Sequence, residues 1–312
     1  LVAVSAHAGS MSVSGSASLT ISDADVDNTQ ATTAEGNLWT MGDSLTFTGG
    51  GELDDGRTVA GSYEYDDDEA DANATSAEEG GFDTHSITLS SDEMGSIQFS
   101  GHGGDGALSA MDDKTPNAYE ESWDITAGNA APPGGMTADN MFTYKSPSIS
   151  GAVLTIGYVP GGSTGAVNGG YTDFGVTISP EAVEGLEVGF AMGETEEIVG
   201  TAIDEQAMYA KYSFGSLTVG YQKNETDGPA AANDVEFTAI GVTYAVTDDI
   251  TIGYGQSTYD LASDGDDQEA TGLSASFTSG GMTIAGGMNS ADNVNNGATD
   301  AEGYEFNISF AF

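Results

Sequence analysis

From residue 10 onward, large apolar side chains recur at every second position in runs of roughly ten residues, separated by polar or glycine-rich interruptions. A period of two is the repeat of a strand with one apolar and one polar face. The pattern is clearest at the C-terminus, where Tyr304, Phe306, Ile308, Phe310 and Phe312 alternate with Glu305, Asn307, Ser309 and Ala311. It predicts sixteen strands, near 11–22, 44–53, 57–66, 82–91, 95–102, 138–146, 151–159, 170–179, 185–194, 204–214, 215–224, 234–246, 249–258, 269–278, 281–289 and 302–312. A tilted strand of about 9–11 residues crosses a bilayer. No stretch approaches the roughly 18 consecutive apolar residues of a membrane-spanning helix. An apolar terminal strand left unpaired invites aggregation in water, whereas in a closed barrel it pairs with the first strand and faces lipid.

Alternation alone does not separate a barrel from a β-sandwich. The connections do. Seven are tight, at 54–56, 92–94, 147–150, 180–184, 214/215, 247/248 and 279/280, and use Gly, Pro, Asp, Ser and Thr. Eight are longer, roughly 23–43, 67–81, 103–137, 160–169, 195–203, 225–233, 259–268 and 290–301. Long and short alternate throughout, the pattern of an even-stranded barrel with short periplasmic turns and long external loops. The expected fold is therefore all-β: a 16-stranded antiparallel transmembrane β-barrel in one domain over 9–312. Tyr63, Tyr65, Phe142, Tyr144, Tyr158, Tyr212, Phe214, Tyr244, Tyr254 and Tyr304 fall toward strand ends, where headgroup-level aromatic girdles are expected. Residues 1–8 close on Ala6-His7-Ala8 and read as a signal-peptide remnant with cleavage after Ala8.

Composition changes the picture in two ways. There is no cysteine, which removes disulfides, thiolate metal sites and thiol nucleophiles. Fifty acids face five bases, giving a net charge of −45. Such a surface repels nucleic acid, attracts cations and suits a high-salt environment, where charge repulsion is screened. The acids concentrate in the long connections, as at 66–71, 78–79 and 264–269.

With the barrel pattern in hand, the chain resembles the general-diffusion porins, most of all those of alphaproteobacteria. The residues that carry the resemblance are Val13-Ser14-Gly15-Ser16-Ala17 in the first strand, Gly51-Glu52-Leu53-Asp54-Asp55-Gly56 at the first tight turn, Gly95-Ser96-Ile97-Gln98-Phe99-Ser100-Gly101 before the longest loop, and terminal Phe312. The resemblance implies a homotrimer in outer-membrane lipid and lipopolysaccharide. It also implies passage of small hydrophilic solutes, an assembly signal in Tyr304, Phe306, Ile308, Phe310 and Phe312, and a third external loop folded into the lumen as a constriction. That loop is 103–137, carrying Asp105, Asp112, Asp113, Glu120, Glu121 and Asp124 with Lys114 as its single base. Trp123 and Ile125 are the candidate anchors against the wall.

The family sets a basic cluster opposite this loop, and here the chain departs from it. By parity Lys145 and Lys211 face the lumen, Lys223 the outer rim, and Arg57 the outward series near a turn. Two wall lysines against so many carboxylates predict a passive, cation-preferring pore with no chemical step. His85 and His102 fall on adjacent strands, but strict alternation sends them to opposite faces. Asp23, Asp25 and Asp27 begin like a calcium loop but lack the Gly and Glu of an EF-hand, leaving at most a loosely bound Ca²⁺ and no other cofactor. Two alternatives stand beside the porin: a solute-specific channel on the same barrel, and a calcium-dependent acidic surface-layer or structural β protein.

Overall fold

A computed structural model of the chain describes residues 9–26, 38–66, 82–126, 131–136, 138–161, 170–196, 202–262 and 265–312. Residues 1–8 and Asp27 lie outside them, so the signal-peptide reading and the third acid of the calcium-like run do too.

The strands are β1 (Ser10–Val26), β2 (Leu38–Glu52), β3 (Thr58–Asp66), β4 (Thr84–Ser91), β5 (Gly95–His102), β6 (Met141–Lys145), β7 (Ala152–Val159) and β8 (Gly170–Ile178). They continue as β9 (Leu186–Glu196), β10 (Ile203–Phe214), β11 (Leu217–Asp227), β12 (Val235–Ala245), β13 (Ile250–Leu261), β14 (Gln268–Ser279), β15 (Met282–Asp292) and β16 (Ala301–Ala311). Each pairs antiparallel with its neighbours in sequence, and β1 pairs with β16, so the sheet closes. A closed ladder leaves no edge to template aggregation. It also excludes the two stacked sheets of a sandwich, and with them the β-sandwich form of the surface-protein alternative.

Closure is sealed by the last residue. The backbone N–H of Phe312 donates to the Gly15 carbonyl at 2.9 Å, and the N–H of Gly15 donates to the Phe312 carbonyl at 2.8 Å. Alternation then sorts the side chains. Leu154, Ile156 and Tyr158, Val219 and Tyr221, and Ile252 and Tyr254 all stand exposed on the outer face. The aromatics expected as girdles share that outward parity. In a bilayer these groups are solvated by lipid; in water they would form an apolar patch far larger than a soluble protein carries.

The expected alternation of short and long connections holds except beside β9, where the turn over 179–185 is slightly longer than the connection over 197–202. The tight turns are built on glycine in the left-handed region, at Gly56, Gly95, Gly151, Gly185, Gly215 and Gly280. The turn between β12 and β13 lacks such a glycine. There Thr247 Oγ1 accepts the N–H groups of Asp249 and Ile250 instead, at 3.2 and 3.1 Å.

Strict alternation fails in one place. Ser86 pairs with Ser100, yet His85 pairs with His102, so Gly101 is an extra residue and the strand bulges. The two histidines are therefore direct cross-strand partners, which corrects their expected separation onto opposite faces. Their rings engage different groups. His85 lies over Gly101, where a methyl group would meet its Nε2 at 2.1 Å. The Nδ1 of His102 contacts the Asp83 carbonyl, and its Nε2 sits 3.7 Å from Asp139.

Candidate functional site: the loop inside the barrel

The described part of the connection between β5 and β6 does not stand out into solvent. It turns inward and lies along the inner face of β7–β16. Its floor is a set of inward polar side chains that grip the loop by its backbone. Asp173 on β8 is fully buried and accepts from Leu108 N–H at 3.0 Å, Gly157 N–H at 2.8 Å and the Tyr171 hydroxyl at 2.8 Å. Gln222 on β11 accepts from the N–H groups of Lys114 and Thr115 at 2.8 and 3.1 Å and donates to the Asp112 carbonyl at 2.6 Å. Asn224 donates to the Pro133 carbonyl at 2.8 Å, and Asn289 on β15 to the Glu121 carbonyl at 2.6 Å. Ser274 accepts from Ala118 N–H at 3.1 Å, and Thr143 donates to the Asp105 carbonyl at 2.8 Å. These partners satisfy polar backbone that burial would otherwise leave orphaned, at about 1–3 kcal/mol each.

Apolar contacts complete the seat. Ala107, Leu108 and Met111 pack with Met141, Val159, Tyr171 and Tyr209 in one buried cluster. Trp123 meets Phe237 of β12 edge-on, with ring centroids 5.0 Å apart. Ile125 packs over Gly287 and Gly303.

The loop's charged residues differ in where they point. Asp105, Asp113 and Asp124 are exposed, Asp112, Lys114 and Glu120 half-buried, and Glu121 buried. Burial, reinforced by the neighbouring Asp113, pushes the Asp112 carboxyl up to about 6. Burial, with the charges of Asp124 and Glu305, pushes Glu120 up to about 7. Glu121 is raised well above the carboxylate range by burial and by hydrogen bonds shared with Asp124 and Asp113, and it accepts from the Asn117 amide. Tyr119 donates its hydroxyl to Glu305 of β16, and burial raises its own ionisation. The carboxylate oxygens of Glu120, Glu121 and Asp124 lie within 4.8 Å of one another, a spacing that suits a hard divalent cation. Raised affinities for protons, the Asn117 amide and the Glu121 N–H donated to Asp124 at 2.9 Å already satisfy the group.

Lys145 and Lys211 both occupy inward positions. Lys211 pairs with Glu187 at 3.2 Å, and Tyr209 donates to the same carboxylate at 3.0 Å. Lys114 lies 5.7 Å from the centre of the Tyr209 ring. Lys145 sits at the inner mouth, in a groove shared with Glu52, Arg57, Asp92 and Glu93. Arg57 belongs to the turn before β3 rather than to a strand, and pairs with Asp55 at 2.6 Å. Lys223 faces outward between Glu225 and Glu236, at 2.7 and 2.9 Å. Asp23 and Asp25 pair in register with Tyr304 and Glu302 of β16, so their backbone forms part of a strand ladder and not an ion-wrapping loop.

None of the five Lys and Arg residues lies on β1–β5. These strands carry hydroxyls: Ser12, Ser14, Ser16, Ser18 and Thr20 on β1, facing Thr48, Thr46, Ser44, Gly42 and Thr40 on β2. Several bond to each other across the ladder, as Ser12 to Thr48 at 2.6 Å and Ser16 to Ser44 at 3.1 Å.

A closed cylinder with an apolar outside, a polar inside and a loop pinned across its lumen is built as a transmembrane channel. The sequence profile of the Gram-negative porin family matches residues 1–268. The chain belongs to that family, whose members are non-enzymatic channels of the bacterial outer membrane. No curated protein matches it by sequence. Among solved structures it is similar to the anion-selective porin of Comamonas acidovorans, at 15% identity and a TM-score of 0.70, covering 97% of this chain and 100% of that one. It is similar to a triple mutant of the Rhodopseudomonas blastica porin, at 18% identity and a TM-score of 0.70, with the same coverage. The OmpF of Salmonella typhi in complex with daunomycin aligns at 14% identity and a TM-score of 0.73, over 98% of both chains.

Proposed function

We propose that this porin is a passive pore for small hydrophilic solutes, that the loop over 103–137 is its constriction, and that the constriction prefers cations. The observation that carries the preference is one-sided charge: exposed Asp105, Asp113 and Asp124 lie on a seated loop, and β1–β5 carry hydroxyls but no lysine or arginine. The similar Comamonas protein is described as anion-selective, so fold does not decide the sign; the side chains at the narrowing do.

The magnitude follows from Coulomb's law. A monovalent ion passing roughly 5 Å from a carboxylate in water gains about 0.8 kcal/mol unscreened, and about 0.4 at 0.15 M salt. Three such groups sum to about 1.3 kcal/mol in favour of a cation and the same against an anion, a difference of about 2.6 kcal/mol, or a cation-to-anion ratio on the order of a hundredfold. Near 1 M salt the Debye length falls to about 3 Å and the ratio shrinks to about fivefold. Reversal potentials of the purified protein in planar bilayers under a KCl gradient test this. Anion preference, or a ratio indifferent to salt, refutes it.

The functional unit we propose is a homotrimer in outer-membrane lipid and lipopolysaccharide. Its support is the family resemblance and the outward apolar face of β1 and β2, with Met11, Val13, Trp39 and Met41 exposed. Mass measurement of the detergent-solubilised, unheated protein tests the stoichiometry, and a monomer would refute it.

A further inference from the structure

Laid out in register, the inner face of β11–β16 carries a single row: Gly220 opposite Gly241, Gly241 opposite Gly255, Gly255 opposite Gly272, Gly272 opposite Asn289, and Asn289 opposite Gly303. Six adjacent strands thus present five glycines and one asparagine at one height. Glycine weakens a strand, because it adds backbone entropy and no side chain to pack, so a row of them marks a close approach of something else. Here that something is the loop. A methyl group on Gly220 would lie 2.5 Å from the Pro116 ring, and one on Gly241 2.5 Å from the Pro116 carbonyl oxygen and 2.9 Å from Thr115 Cβ. On Gly272 it would meet the side-chain oxygen of Asn289, the next member of the row, at 2.7 Å and Ser122 Cα of the loop at 3.0 Å; on Gly303 it would meet the Ile125 carbonyl oxygen at 3.0 Å, and on Gly255 Ser122 Cβ at 3.3 Å. The sixth member, Asn289, hydrogen-bonds the loop backbone at Glu121.

We infer that this row sets the calibre of the pore. Its members are positioning residues: bare backbone at five points lets residues 115–125 lie flat against the wall, and the depth of that seat fixes how far the acidic edge reaches into the lumen. The inference rests on the reading of 103–137 as the constriction. It adds that the wall, and not the loop's own length or charge, gauges the opening. Because the clearances differ, the effect is graded. Ordinary van der Waals contact begins near 3.4 Å, so a methyl at Gly241 falls about 1 Å short, one at Gly272 a few tenths short, and one at Gly255 close to contact.

The test is alanine substitution along the row, with Gly49→Ala as control. Gly49 is a strand glycine whose added methyl meets nothing within 4 Å. Each variant is refolded, checked for heat-modifiable migration, and measured by single-channel conductance and by liposome swelling with sugars of increasing size. Gly241→Ala is expected to lower conductance by roughly a fifth, as about 1 Å is lost from a narrow cross-section, and to slow the larger sugars more than the smaller. Gly272→Ala should do less, Gly255→Ala least, and Gly49→Ala nothing. If Gly241→Ala does not fold, Gly272→Ala and Gly220→Ala carry the same expectation. Folded row variants with wild-type conductance and wild-type sugar cut-off overturn the inference. So does an equal change in Gly49→Ala, which would show that any strand methyl acts. A wild-type protein without channels would instead overturn the porin reading, and the two failures are told apart by the wild-type trace alone.

Discussion

Asp173 offers the sharpest test of how the loop is held. Its carboxyl group accepts three hydrogen bonds, from Leu108 N–H, Gly157 N–H and the Tyr171 hydroxyl. Of these, Leu108 belongs to the loop, Gly157 to β7 and Tyr171 to β8 itself. Asp173→Ala removes the shared acceptor and leaves two buried N–H groups and a hydroxyl without it. At about 1–2 kcal/mol for each orphaned donor, the seat loses roughly 3–6 kcal/mol. The barrel, held by sixteen ladders, keeps its fold; the loss falls on the loop's first half. Each 1.4 kcal/mol is tenfold in population, so the detached loop gains about two to four orders of magnitude. The assay is single-channel recording beside limited proteolysis within 105–115. Expected are flickering conductance and new cleavage in a protein that still migrates as a heat-modifiable barrel. Asp173→Asn is the intermediate case, since one amide oxygen can still serve two of the three donors. A quiet channel with a protected loop in Asp173→Ala would refute the claim that this carboxyl group pins the loop.

Three further outcomes are expected. Glu120 and Asp112 are raised to about 7 and 6, so acidification from pH 8 to 5 discharges Glu120 first and Asp112 next, and the cation-to-anion ratio falls. Between the ordinary carboxylate range and these raised values the seated loop binds more protons than a released one. Seating is therefore strongest below about pH 5 and weakens as pH rises through 6 to 7, and reversal potentials with protease sensitivity at each pH check both signs. Lys211→Ala leaves Glu187 unmatched in the lumen and raises cation preference slightly, whereas Lys223→Ala, facing outward, leaves reversal potential unchanged; the opposite ranking would contradict the placement of both. Deleting Phe312 removes both backbone bonds to Gly15 at the seam, so the heat-modifiable fraction after refolding should drop several-fold, and an undiminished fraction would count against the seam as an assembly determinant.

The barrel was largely legible in the sequence because its determinant is local. Alternation, turn glycines and loop lengths are properties of neighbouring residues, and they mark strands and faces without knowledge of pairing. The ends of β1 and β2 were less legible: β1 runs 17 residues and β2 15, beyond the stretches that alternation marks, because Asp23 and Asp25 replace apolar residues at the end of β1 and Gly42-Asp43 interrupts β2 before the apolar Met41 and Trp39. The bulge at Gly101 was invisible for a related reason. Parity counting assumes no insertion, and one extra residue reverses it. The loop's seat was hardest to read. Asp173, Gln222, Asn224 and Asn289 look like ordinary inward polar positions, and only long-range closure brings them under the loop. The glycine row is detectable once the strands are aligned in register, since five of six cross-strand neighbours being glycine is a two-dimensional signal that a one-dimensional scan dilutes.

The way the wall holds the loop bears on how the pore can vary. Asp173, Gln222, Asn224, Asn289, Ser274 and Thr143 all bind loop backbone, through the N–H or carbonyl groups of Leu108, Asp112, Lys114, Thr115, Pro133, Glu121, Ala118 and Asp105. The glycine row touches backbone and Cβ atoms in the same way. Seating is thus nearly independent of which side chains the loop presents to the lumen. Asp113 and Asp124 are exposed, and both share hydrogen bonds with the Glu121 carboxyl; Asp124 also accepts the Glu121 N–H at 2.9 Å, so of the two it is Asp113 where the charge of the proposed constriction can change with the smaller effect on the loop. Selectivity and architecture are carried by different atoms of the same segment. That separation fits a fold shared at 15% identity with a channel described as anion-selective, and it requires that charge reversal at Asp113 shift permeability while leaving loop protection and barrel assembly as they are.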